Sequence, residues 1–362
     1  MDATKTDATK TRVGNFFEDF RVGQRLVHAT PRTVTAGDVA LYTALYGPRF
    51  AVQSSDAFAA ALGYPRAPVD DLLVFHIVFG KTVPDVSLNA IANLGYAECR
   101  FRQPVFTGDT LSAESEVIGL KQNSNGESGV VYVRTTGRNQ HGQIVLDYVR
   151  WVMVRKRDKA ASAPPALVPT LAERVAPEAI GMAVPRLVTG RYDRSLAGSS
   201  HGFGDYRVGE KIDHSDGMTI EEAEHQLATR LYQNTARVHF NDHVERQGRN
   251  GRRLVYGGVV MSLCRALSFN GLGNAFHVAA INGGRHVAPC FAGDTIYAWS
   301  EILECAALPA RNDVGALRVR ITGLKNASAH DMPRLDAAGK YAGSVVLELD
   351  VWLVIPHGAT FA

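Results

Sequence analysis

Only four cysteines occur in 362 residues, Cys99, Cys264, Cys290 and Cys305. None forms a CxxC pair, which excludes the close thiol spacing of a zinc ribbon or a thioredoxin-type dithiol. Scattered thiols of this kind fit a reduced, cytoplasmic protein. No run of ~18 apolar residues is present, so no membrane-spanning helix is expected. The N-terminus lacks the apolar stretch of a secretory signal. No sign of charge dominates: 39 Lys and Arg face 36 Asp and Glu, a net charge of +3. That is too little to argue for nucleic acid or an anionic membrane as a partner. What remains is an ordinary composition, 46% hydrophobic and 21% charged, over a length that suits two modules better than one core.

The chain repeats itself. Residues 20–49 align without a gap on residues 206–235, 186 positions later, and nine of the 30 pairs are identical. Average composition would give roughly two. The matches include Gly23/Gly209, His28/His214 and Tyr46/Tyr232. Residues 101–118 align on 286–303 at an offset of 185, with eight of 18 identical, including Gly108-Asp109-Thr110 and Gly293-Asp294-Thr295. Two copies of one module therefore follow each other in the same order of elements. The expected boundaries are a polar, disordered tail at 1–13, module one at 14–157, an Ala/Pro/Ser-rich linker at 158–200 that is partly ordered at most, and module two at 201–362.

Each module reads as α+β. Module one predicts a strand near 25–28, a helix over 37–46, a buried apolar helix over 71–81, and strands over 97–106, 110–119, 129–136 and 144–154. Gly-bearing turns separate these strands. Module two repeats the plan, with its buried helix over 259–267 and an insertion at 326–339 before the last strand. A long helix wrapped by an antiparallel sheet, present twice, is a double hot-dog architecture.

Two columns of the repeat differ in chemistry. The stretch Gln233-Asn234-Thr235-Ala236-Arg237-Val238-His239 ends in a titratable group, whereas module one has Gln53 there. The turn Val255-Tyr256-Gly257-Gly258 stands where module one has Val69-Asp70-Asp71-Leu72. A helix N-terminus offers free N–H groups and a positive dipole end, and glycine permits close approach of a ligand.

With these stretches the chain resembles the MaoC-type double hot-dog hydratases. The likeness runs over nearly its whole length to those that interconvert β-methylmalyl-CoA and mesaconyl-CoA, carried by 14–24, 28–47, 72–97, 219–241 and 291–303. The resemblance implies a hydro-lyase with an acyl-CoA thioester as substrate and no metal or redox cofactor. It implies that His239 shuttles a proton with a pKa near neutrality, and that Asn234, in the column of the motif Asp, holds the water. Gly257 and Gly258 would supply the oxyanion hole, with Tyr256 facing the substrate. Because an amide cannot be a base, either His239 acts alone or Asp242 or Glu245 joins it. The substrate's free carboxylate calls for a cation, and Arg237, Arg252 and Arg253 are nearest in sequence. Module one is expected to shelter the acyl group. His239 and His243 are spaced i, i+4, but no HExxH or third ligand accompanies them, so no metal is expected. Other readings are an R-specific enoyl-CoA hydratase of broader range, a non-catalytic acyl-CoA-binding protein and a thioesterase. A homo-oligomer, most simply a dimer, is expected from symmetry.

Overall fold

The computed structural model describes residues 10–11, 13–248 and 250–357. Most of the expected N-terminal tail lies outside the described residues. Ten strands form one antiparallel sheet. Module one supplies β1 (Arg25–Thr33), β2 (Ala90–Phe101), β3 (Thr110–Gln122), β4 (Ser128–Arg138) and β5 (Ile144–Arg155). Module two supplies β6 (Lys211–Thr219), β7 (His277–His286), β8 (Thr295–Ala307), β9 (Val314–Lys325) and β10 (Val345–Pro356). The order β1-β3-β4-β5-β2-β7-β10-β9-β8-β6 is the same half-sheet read outward in both directions from the β2–β7 seam. At the seam Ala97 pairs with Gly283, residues one repeat length apart. Tyr232 donates its hydroxyl to Tyr46 at 2.8 Å, again one repeat length apart. A local two-fold axis therefore runs through the molecule, and a hot-dog dimer has been built inside one chain.

The central helix of module one, Asp71–Thr82, is buried at every position from Leu72 onward. This is what a sequence apolar on all sides predicts. Its N-terminus is capped by Asp70, whose carboxylate accepts the Leu72 N–H at 2.9 Å. The helix Ala36–Tyr46 opens with a Thr35/Asp38 capping box and stops at Gly47 in the left-handed conformation (φ 59°), which glycine adopts without strain. The central helix of module two, Gly257–Leu267, has no side-chain cap at its N-cap residue Tyr256.

The strand expected at 97–106 begins at Ala90 and ends at Phe101. Beyond it Pro104 has no N–H for a ladder, while residues 90–96 gain partners on β5 and β7. The linker packs against the sheet at several points. Leu167 bridges to Leu120, Val175 N–H donates to Asn282 Oδ1 at 2.8 Å, and Trp352 Nε1 donates to the Val175 carbonyl at 2.9 Å. Buried Val175, Ile180, Val184, Leu187 and Tyr192 pin it to the sheet; these apolar anchors outweigh its Pro- and Ala-rich composition.

Candidate active site

After the helix Glu222–Leu231 the chain turns sharply at Gln233, which has φ 53°. Asn234 Oδ1 then accepts the Ala236 N–H at 3.1 Å, and this Asx-type turn launches the short helix Arg237–Phe240. His239 is thereby held with Nδ1 2.9 Å from the Leu254 carbonyl. A carbonyl only accepts, so Nδ1 carries the proton and Nε2 keeps its lone pair. Burial lowers the ring's pKa to about 4. The expectation of a value near neutrality is corrected. No carboxylate balances the ring, because the column that would supply one holds Asn234. At neutral pH His239 is an uncharged acceptor.

His239 lines a cavity of about 740 Å³. Asn234, Arg237, Tyr256 and Gly257 line the same cavity, as does Glu245, one of the two alternative carboxylates. Asp242 is instead paired with Arg246 at 2.6 Å. Gly258, Arg252 and Arg253 are not on the wall. Gly258 is buried, and a methyl there would collide with the His76 and Tyr256 rings. Arg253 is engaged by Glu222 and Gln226, because the acidic first turn of the neighbouring helix competes for it. Arg252 stacks on Phe291, 3.9 Å from the ring centroid. Gly257 is glycine for a comparable packing reason: a methyl would meet the His286 ring.

The Tyr256 N–H is taken by His225 Nε2 at 3.0 Å, which fixes the start of the central helix. Gly257 follows; the Val259 N–H donates to the Tyr256 carbonyl at 2.9 Å, while the Gly257 N–H has no intrahelical acceptor. The Tyr256 hydroxyl approaches His76 Nδ1 at 3.3 Å. His225 and His76 are each pushed down to about 3 by burial, and His286 to about 4 by burial and by His239. The site thus holds neutral imidazoles around a helix dipole, an environment that favours negative charge developing on a ligand.

The lining residues not anticipated from sequence include His286, whose Nε2 is 3.2 Å from the Tyr96 hydroxyl, and Tyr96, Asn93 and Arg150 of module one. The repeat carried a signal for His286, Asn93 and Arg150. His286 aligns with Phe101, Asn93 with Val278, and Arg150, next to Trp151, with Val351, next to Trp352. In each column one copy is polar and the other is not. Among the described residues no group of three His, Cys, Asp or Glu is placed to hold a metal ion, and no helix is long and apolar enough to cross a membrane.

A pair of hot-dog modules, fused across a local dyad with a histidine and an uncapped helix N-terminus in one cavity, defines a double hot-dog protein of the MaoC-like kind. Sequence comparison places it further: the mesaconyl-CoA hydratase family model matches residues 2–329, and the chain belongs to that family. It is 62% identical to a β-methylmalyl-CoA dehydratase of Chloroflexus aurantiacus, over 97% of this chain and 99% of that one. It is 59% identical to a mesaconyl-CoA hydratase of Cereibacter sphaeroides, over 96% of this chain and 100% of that one. The crystal structure of a MaoC domain protein from Chloroflexus aurantiacus superposes with a TM-score of 0.95 at 62% identity, covering 97% and 99% of the two chains.

Proposed function

We propose that this protein is a hydro-lyase that interconverts β-methylmalyl-CoA and mesaconyl-CoA, with its chemistry in module two. The observation that carries the reading is the free Nε2 of neutral His239 in one cavity with the first turn of the uncapped helix at Gly257. The substrate has a thioester, an adjacent acidic C–H, a β-hydroxyl and a free carboxylate. The thioester oxygen accepts from the Gly257 N–H, so the enolate formed when the α-proton leaves is held by a backbone donor and a helix dipole. His239 Nε2 takes that proton and passes it to the β-hydroxyl as the C–O bond breaks, so the group leaves as water and the ring ends neutral. Asn234, whose Oδ1 is occupied by Ala236, offers its amide N–H to the hydroxyl or water oxygen. The scheme moves a proton and a hydroxyl and no electrons between molecules, so it requires no redox cofactor.

The test is to supply mesaconyl-CoA and crotonyl-CoA separately and follow loss of the enoyl absorbance. Hydration of mesaconyl-CoA with the higher kcat/KM is expected. Hydration of crotonyl-CoA alone would move the assignment to a general enoyl-CoA hydratase. Turnover of neither would overturn it.

A further inference from the structure

The module-one wall of the cavity carries two polar side chains whose hydrogen bonding is incomplete. Arg150, in the middle of β5, is fully buried. Its Nη2 donates to Thr82 Oγ1 at 2.7 Å and Ser87 Oγ at 3.3 Å, and its guanidinium lies 4.2 Å from the Phe79 ring centroid. Nε and Nη1 have no acceptor among the described residues. Asn93, on β2, has neither its amide oxygen nor its amide nitrogen partnered. The β2–β5 register sets Tyr96 opposite Arg150 and Asn93 opposite Val152, so Asn93 and Arg150 are near neighbours on one wall. Both line the cavity that holds His239.

A guanidinium with unused donors, deep among Phe79, Val152 and tyrosines, is costly to bury. Module two shows that the fold does not need it: the same columns hold Val351 and Val278, both buried. The polar pair therefore occurs only beside the open cavity. Arg237, expected for the cation's role, borders the cavity as an exposed side chain, where water screens its charge.

We propose that Arg150 and Asn93 receive the free carboxylate of the acyl group and thereby set the preference for a dicarboxylic over a neutral acyl thioester. One carboxylate oxygen accepts from Arg150 Nη1–H and the other from Asn93 Nδ2–H. Module one, which has no proton-transfer group in the motif column, then supplies the specificity of the site. This rests on the proposed function for the identity of the substrate, but it can be tested by binding alone.

The experiment compares succinyl-CoA with butyryl-CoA, which differ at the acyl end by a carboxylate against a methyl, as ligands of the intact protein by calorimetry. The wild type is expected to prefer succinyl-CoA by on the order of a hundredfold, the scale of a buried charge-assisted hydrogen-bond pair. Arg150→Met should bring that ratio to within about threefold through weaker succinyl-CoA binding, with butyryl-CoA binding held or improved. Asn93→Ala should reduce the ratio about tenfold and serves as the deciding variant if Arg150→Met does not fold. A wild type without preference, or a preference unchanged in the folded variants, overturns the proposal. Failure of the wild type to hydrate mesaconyl-CoA would overturn the proposed function instead, and is read in a separate assay.

Discussion

The two halves of the molecule contain the same site twice, once open and once closed. The open copy is the cavity of about 740 Å³ around His239, Gly257, Val260, His286, Pro289 and Cys290. One repeat away, Gln53, Asp71, Val74, Phe101, Pro104 and Val105 surround a space of about 10 Å³. The backbone is the same and the outcome differs because of a few side chains. Asp71 stands in the Gly257 column, and its carboxylate accepts from His277 Nδ1 at 2.9 Å and from the Val278 N–H at 2.8 Å. Gln53 stands in the His239 column and donates to the Phe276 carbonyl at 2.8 Å. Ala183 of the linker closes over the same place. The closed copy is instead crossed by hydrogen bonds that tie the two modules together. The open copy keeps its donors unspent. Duplication thus separates two demands on one fold, a rigid seam and an unsatisfied cavity.

Making the open site resemble the closed one should have the largest effect. His239→Gln places the module-one residue in the working column and removes the only proton acceptor of the motif. We expect kcat to fall by about 10³-fold, read as mesaconyl-CoA hydration, with the melting temperature nearly unchanged. The reciprocal Gln53→His should restore nothing in that background, because the closed site has no room for substrate. Recovery of activity there would break the comparison.

Opening the closed site should cost stability and leave catalysis alone. Asp71→Ala strips His277 and the Val278 N–H of their acceptor. Leaving them buried and unpaired is expected to cost about 2–3 kcal/mol in urea unfolding, with kcat within about twofold of wild type. A large loss of activity would show that the two sites are coupled through the seam.

The smallest expected effect sharpens the electrostatics. Neutral His239 is the competent form, and its lowered pKa of about 4 means that kcat/KM holds as pH falls through 6 and 5 and declines only as the ring protonates below that. Asn234→Asp puts a carboxylate on the same wall, which favours the protonated ring and raises its pKa. The acid limb should then move to higher pH by about one to two units. An unmoved limb would assign that limb to another group.

Much of the fold was legible in the sequence because its signals are local. The apolar run at 72–80, the glycine turns and the internal repeat specify helices, strands and their order wherever the chain is read. The linker was harder, since composition says little about which of its few apolar residues find a sheet to rest on. Within the site, His239, Asn234 and Gly257 were visible as asymmetric columns, and all three line the cavity. Gly258 was read from the same glycine turn as Gly257 and Arg253 from proximity in sequence, and neither signal determined direction. One faces the His76 ring and the other an acidic helix turn.

By itself the sequence determined that there are two copies of one module and that only the second retains a titratable group in the motif column. Those are statements about columns, and columns need no coordinates. Tertiary structure decided which groups share a cavity. Arg150 and Asn93 lie on strands of module one, far along the chain from His239, and they meet the site of module two only because β2 and β7 pair across the dyad. It also decided that His239 is uncharged, since a pKa depends on the water and counter-charges that packing removes. Burial and cross-module contact arise only when distant segments meet, and that is why the working half could be read from the sequence while the site's other wall could not.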